Sequence, residues 1–249
     1  LTATDLVLWF RELSSGPKCN RVLFCLPHAG GGSLSFREWE RAVPPAVGVV
    51  PVRLPGREQR FAEPPGVDPA AIATAVAARA DRPYAVFGHS MGARVAFEVT
   101  RELRRLGAPP PLRLYVAAAL PPGTVSRIAS LAVLEDEPLA QALVELVGAP
   151  VELRDNVEFR ELMLPVLRSD LRWLNQHSLQ PGAPLETPIV ALAGAADTEC
   201  GRSTMLDWGR HTSAFFGLHT LPGGHFFPQT HAREVATLVS ADLIAAEPR

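Results

Sequence analysis

The chain has 249 residues, with 24 Lys+Arg against 26 Asp+Glu and a formal net charge of −2. Apolar residues at 47% and charged residues at 20% are the balance of a chain that buries a sizeable core, which excludes disorder, collagen and coiled coil. Near-neutral charge argues against nucleic acid as a partner, since that usually requires a strongly basic domain. The scattered arginines still leave room for an acidic partner to dock locally.

The start, Leu1-Thr2-Ala3-Thr4-Asp5, lacks the charged-then-apolar layout of a signal peptide, and no apolar run approaches the roughly 18 residues that span a bilayer. Cys19, Cys25 and Cys200 are odd in number and lack metal-ligand spacing. Cys25 lies in an apolar run and reads as a small buried hydrophobe. A reducing, cytoplasmic compartment is expected, with no metal site and no membrane association.

Six runs read as strands: Arg21–Leu26, Val47–Arg53, Tyr84–Phe87, Leu112–Ala119, Ile189–Ala193 and Phe216–Leu221. Most are apolar almost throughout, as strands covered on both faces are. Asp68-Pro69 starts an Ala-rich helix to about Ala80, Asp as N-cap and Pro as the first helical residue. A second helix follows Ser90, with Val95, Ala96, Val99, Leu103 and Leu106 on one face and Gly107 as its stop. A last helix runs from about His231 to Ala246. Alternating strands and helices predict an α/β fold with a mostly parallel central sheet and helices on both faces.

From about Gly123 to His177 that alternation stops. Asp136 is placed to cap Pro138–Val147, ending at Gly148, and Leu153–Leu174 follows with Pro165 as a kink. The expected organisation is one domain over 1–249 with a helical lid insertion at about 123–177, although peripheral packing would leave the same periodicity.

The sharpest chemical signal is Gly88-His89-Ser90-Met91-Gly92 between a buried strand and a helix. A nucleophile there must turn sharply, and glycines on either side of the serine relieve the crowding. A serine hydroxyl also needs a base. Of seven histidines, His225 follows the last strand through Pro222-Gly223-Gly224, on the sheet edge that carries the nucleophile. His89, inside the elbow, reads as a packing residue; His177, His211, His219 and His231 read as surface or core residues. Asp197 ends the run after the fifth strand and is the expected acid, giving the order Ser90, Asp197, His225 of α/β-hydrolases. Its rivals, Asp170 and Asp207, lie in helical patterns and read as solvated or capping carboxylates. His28-Ala29-Gly30-Gly31-Gly32-Ser33 lets backbone approach a reacting carbonyl, so the backbone N–H groups of Ala29 and Met91 are the expected oxyanion donors. As a phosphate loop this run is poor, lacking both a following Lys-Ser/Thr and the G-x-G-x-x-G spacing.

The chain resembles the stand-alone type II thioesterases of polyketide and nonribosomal peptide synthases. The resemblance rests on Leu26-Pro27-His28-Ala29-Gly30-Gly31, Leu54-Pro55-Gly56-Arg57-Glu58 with Arg60-Phe61-Ala62-Glu63-Pro64, and Gly88 to Ala93 with Ala96-Phe97-Glu98. It continues in Leu164-Pro165-Val166-Leu167-Arg168-Ser169-Asp170, Gly194 to Asp197, and Pro222 to Phe227. It runs from about Trp9 to the C-terminus. Asn175-Gln176-His177 departs from it, similar proteins often carrying an acidic residue and a tyrosine there.

The resemblance implies hydrolysis of acyl groups from the phosphopantetheine arm of an acyl or peptidyl carrier protein, clearing stalled or misprimed synthases. It implies no cofactor, the phosphopantetheine belonging to the substrate. Leu139, Leu143, Leu146, Val147, Leu162, Val166 and Leu167 are candidates to roof an acyl pocket or to pack the lid. Arg57, Arg60, Arg168 and Arg172 are candidates to meet an acidic carrier or to form internal ion pairs. No dimer element is evident, and a monomer is expected. Alternatives are a small-molecule esterase or acyl-CoA hydrolase, a product-releasing thioesterase, and a non-catalytic binding protein of the same fold.

Overall fold

Runs apolar on both faces can only be strands if helices cover both sides of the sheet, and that is the arrangement found. The computed structural model describes residues 2–11, 18–177 and 179–247; Leu1, named in the N-terminal reading above, lies outside them. Six strands, β1 (Arg21–Leu26), β2 (Val47–Pro51), β3 (Tyr84–His89), β4 (Leu114–Ala117), β5 (Ile189–Gly194) and β6 (Phe216–Leu221), form one sheet in the order β2-β1-β3-β4-β5-β6. Every neighbouring pair is parallel. Strands β2 to β5 are buried throughout, whereas β6, at the edge, is half-buried or exposed along most of its length.

The expected strand positions hold, with shifts at their ends. The second run stops pairing at Pro51, and Val52 instead bridges Phe10 in antiparallel fashion. The fourth shortens to four residues before Ala118, whose φ is +49°. The third extends through Gly88 and His89 into the serine turn.

Helix α1 (Ala3–Trp9), not anticipated from sequence, starts at a capping box in which Thr2 and Asp5 satisfy each other's backbone N–H. In α2 (Pro69–Arg79), Asp68 accepts from the N–H groups of Ala70 and Ala71. Helix α3 (Met91–Arg105) ends before Gly107, at φ +65°. Chain order reverses between β1 and β3, β1 leading outward to β2 and the chain then returning to β1's other side. Such a switch point opens a crevice at the strands' carboxyl ends, and the parallel register sets Leu26 beside Gly88 there.

Between β4 and β5 lie α4 (Arg127–Ser130), α5 (Asp136–Val147), α6 (Glu152–Asp155) and α7 (Val157–Gln176). They enclose a second apolar cluster, with Leu139, Leu143, Leu153, Leu164 and Leu171 at its centre. Two local expectations are corrected. Asp136 is not the cap of α5: it lies in the first turn, where Arg168 reaches its carboxylate at 2.6 Å. The expected Leu153–Leu174 helix is broken at Asn156, whose side chain accepts the Phe159 N–H at 2.9 Å and so starts a new helix. Pro165 is accommodated inside α7. The chain closes with α8 (Arg202–Met205), α9 (Phe227–Thr230) and α10 (Ala232–Ala245).

Candidate active site

Ser90 has φ +55° and ψ −119°, a conformation L-residues avoid unless the surroundings impose it. The surroundings do: a Cβ at Gly88 would stand 2.2 Å from the Gly92 carbonyl oxygen, and one at Gly92 would stand 2.3 Å from that of Leu26. Both contacts are with backbone, so neither can relax by a side-chain rotation. Gly92→Ala is therefore expected to lose about 3 kcal/mol or more of stability through overpacking, read as a fall in the denaturant midpoint. An unchanged midpoint would mean that β1 can move away.

The strand ends bring the three expected residues together. His225 Nε2 lies 2.9 Å from Ser90 Oγ, and His225 Nδ1 lies 3.0 Å from Asp197 Oδ2. Asp197 Oδ1 accepts the N–H groups of Glu199 at 3.0 Å and Cys200 at 2.9 Å. Burial pushes the Asp197 carboxyl up, but His225 and those two N–H groups outweigh it and hold the carboxyl below its ordinary value. An ionised acid on Nδ1 fixes the tautomer in which Nε2 faces the serine ready to accept its proton. The two loops meet closely, since a Cβ at Gly194 would lie 2.7 Å from the Gly224 carbonyl oxygen.

His89 is more than packing. Fully buried, it holds the His225 loop: its Nε2 meets the His225 carbonyl oxygen at 2.9 Å, and the Gln229 amide nitrogen lies 3.2 Å from its Nδ1. Burial, with His28 and His225 nearby, keeps its pKa well below the ordinary value, so it stays neutral. His28, pushed down to about 3 by burial, His225 and Arg57, is also neutral. It stands edge-on to Phe226, ring centres 5.0 Å apart. The remaining histidines are engaged elsewhere or exposed: His177 lies 3.2 Å from Glu98, His211 stands against Phe97 and Trp208, His231 bonds Thr230, and His219 is exposed on β6.

Met91 opens α3, where the first N–H groups have no intrahelical acceptor. Ala29 lines the same cavity as Ser90. Asp170 corrects the sequence reading. It is neither solvated nor a cap but wholly buried, paired with both terminal nitrogens of Arg57 at 2.8 and 2.9 Å and accepting the Gly30 N–H at 2.8 Å. Asp207 is exposed and 3.4 Å from Arg210.

Three of the four candidate docking arginines likewise serve internal pairs. Arg57 holds Asp170. Arg60 is buried, bonds Glu63 at 2.6 and 2.7 Å and stacks on Trp9, and Arg168 bonds Asp136 and the Ala132 carbonyl. Arg172 is exposed.

A cavity of about 120 Å³ opens beside Ser90 and His225 under the insertion. Of the seven apolar residues named from sequence, Leu143, Val147 and Leu167 line it; Leu139 and Val166 are buried away from it, Leu146 packs half-buried on the insertion's apolar cluster, and Leu162 is exposed. Leu153, Phe159 and Met163, which were not singled out from sequence, line it as well, with Ile128 and Leu171. Among the described residues, Asp197, Cys200 and His225 hold ligand atoms within 4.8 Å of one another. They make a poor metal site: the acid and the imidazole already bond each other, and burial pushes the Cys200 thiol up so that it stays protonated.

Residues 21–243 match the family model of the thioesterase domain. Among curated relatives, the chain is 34% identical over 242 residues to "Linear gramicidin dehydrogenase LgrE" of Brevibacillus parabrevis, covering 94% of this chain and 92% of the relative. Among solved structures, it is similar to the RedJ thioesterase from the prodiginine biosynthetic pathway in Streptomyces coelicolor. There the identity is 33% and the TM-score 0.84, covering 92% of this chain and 93% of that one. The type II thioesterase BorB from the borrelidin biosynthetic cluster has 32% identity and a TM-score of 0.83, covering 95% and 98%.

Proposed function

Because this chain belongs to the thioesterase domain family, with relatives among the type II thioesterases of polyketide and nonribosomal peptide clusters, we propose that Ser90, His225 and Asp197 carry out its thioester hydrolysis on acyl groups borne by carrier proteins. The observation that carries the reading is the continuous hydrogen-bonded array from Ser90 Oγ through His225 to Asp197, at the mouth of an apolar cavity.

Ser90 Oγ attacks the thioester carbonyl as His225 Nε2 takes its proton. The oxyanion is met by the N–H groups of Ala29 and Met91, the second at the positive end of α3. The sulfur leaves with the proton from His225. Water, losing its proton to His225, then attacks the acyl-serine, and the proton returns to Ser90 as the free acid departs. Every proton is accounted for by these residues, so the reaction needs no metal or cofactor. The phosphopantetheine arm comes with the substrate. The insertion acts as a lid whose inner wall accepts the acyl chain, and the enzyme works as a cytoplasmic monomer that clears stalled or misprimed synthases. Among the described residues, no helix is long and apolar enough to cross a membrane.

The redox name of LgrE is not carried over. The run His28-Ala29-Gly30-Gly31-Gly32-Ser33 after the first strand lacks the G-x-G-x-x-G spacing of a dinucleotide-binding turn.

The test is steady-state hydrolysis of a short acyl series, each acyl presented on a holo carrier protein and on a small thiol. Faster turnover on the carrier is expected. Equal or better turnover on the small thiol would leave a general acyl hydrolase.

A further inference from the structure

The ion pair of Arg57 and Asp170 has side-chain exposures of 7% and 0%. Such burial is unfavourable unless the remaining lone pairs and protons also find partners. Arg57 Nε donates to the Pro55 carbonyl at 3.3 Å, and the other partners are backbone groups of one turn. Asp170 Oδ2 accepts the Gly30 N–H at 2.8 Å, and Arg57 Nη1 donates to the Gly31 carbonyl at 2.8 Å. The turn is closed by the Gly31 N–H on the His28 carbonyl at 2.9 Å, with Gly30 at φ +75°, as a four-residue turn with a left-handed third residue requires. Asp170 and Arg57 thus hold the last two residues of a turn whose second residue is Ala29, and the Ala29 N–H is oriented with that turn as a body. Leu167, one helical turn before Asp170, packs on the same glycine, 3.2 Å from where a Cβ would stand.

We infer that Asp170 and Arg57 are positioning residues: the pair locks the His28–Gly31 turn in the orientation that aims the Ala29 N–H at the developing oxyanion, so hydrolysis requires α7 to be seated. An ion pair serving only to attach α7 to the core would not need its spare acceptor and donor on this turn. The inference rests on the reading of Ala29 as an oxyanion donor, and it does not depend on a carrier protein.

The experiment uses the whole protein, an acyl-N-acetylcysteamine thioester, and the variants Asp170→Asn and Arg57→Lys. Each is expected to lower kcat by about 10²-fold, the usual consequence of a donor misplaced by about 1 Å, with KM changed less than about threefold. Affinity for a trifluoromethyl ketone analogue, which adds to Ser90 and forms an oxyanion, falls by the same factor as kcat. Affinity for the unreactive thioether analogue stays at the wild-type value. Circular dichroism through a denaturant series shows whether each variant unfolds cooperatively.

Unchanged kcat in a folded variant would overturn the inference, as would equal weakening of both analogues. If Asp170→Asn does not fold, Arg57→Lys, which keeps a cation beside the acid, decides alone. Failure of both to fold would also overturn it, because the pair would then serve the fold only. Wild-type hydrolysis of the small thioester with no preference for a carrier would count against the proposed substrate and leave the positioning role standing.

Discussion

Ser90→Ala is expected to lower kcat by about 10⁶-fold, the scale on which serine hydrolases respond to loss of the nucleophile, while the protein folds as before. The side chain removed makes one hydrogen bond, to His225 Nε2, and alanine needs no more room than serine. The turn's unusual φ of +55° is set by the backbone contacts of Gly88 and Gly92 rather than by the hydroxyl. Activity and stability should therefore separate cleanly: turnover lost, unfolding free energy within about 1 kcal/mol of wild type. Labelling by a fluorophosphonate should vanish with turnover. Full turnover in this variant would remove the acyl-serine mechanism and with it the roles assigned to His225 and Asp197.

Asp197→Asn is expected to cost about 10⁴-fold in kcat. Asparagine can occupy the same space and still accept the Glu199 and Cys200 N–H groups. Against His225 Nδ1, however, it can present an N–H, which favours the tautomer that turns a proton toward Ser90 instead of a lone pair. It also removes the negative charge that stabilises the imidazolium. The three candidate aspartates should fall in a definite order, Asp197→Asn far below Asp170→Asn, and Asp207→Asn near wild type because its carboxylate is exposed on the surface. Measuring kcat for the three variants on one thioester checks the order. A deeper loss at Asp170 than at Asp197 would mean that the acid has been misassigned.

The meeting of Ser90, His225 and Asp197 was legible because each sits at the carboxyl end of a strand, and in a parallel sheet all those ends share one edge. A strand followed by Gly88-His89-Ser90-Met91-Gly92, another followed by Asp197 and a third followed by His225 leave little freedom in how the three meet. The helix stops at Gly107 and Gly148 were legible for an equally local reason, both residues standing at positive φ. The break of the long insertion helix at Asn156 was missed because Leu153 and the apolar residues of α7 stay nearly in phase across it, and periodicity cannot register a cap between two helices that share a face.

Asp170 shows the other limit. Its position in a helical pattern fits an exposed carboxylate, and nothing within a few residues of it says otherwise. Its partners Arg57 and Gly30 lie more than a hundred positions away, and they are brought to it by the folding of the insertion over the crevice between β1 and β3. Arg57, Arg60 and Arg168 repeat the lesson: as sequence they could meet a partner or pair within the chain, and as structure each is bonded to an acid of its own chain, Asp170 buried, Glu63 half-buried and Asp136 exposed. His89 belongs here too, since its bond to the His225 carbonyl crosses from the nucleophile's strand to the base's loop.

By itself, then, the sequence determined the parallel sheet, the serine turn and which serine, histidine and aspartate meet at one sheet edge, because these follow from strand burial, glycine sterics and the geometry of that edge. Only the tertiary structure decided which insertion residues wall the cavity, which charges are buried, and how the turn carrying Ala29 is held. Those depend on contacts between segments distant in the chain, where a charged side chain reads as solvated until its partner and the surface that excludes water are in place.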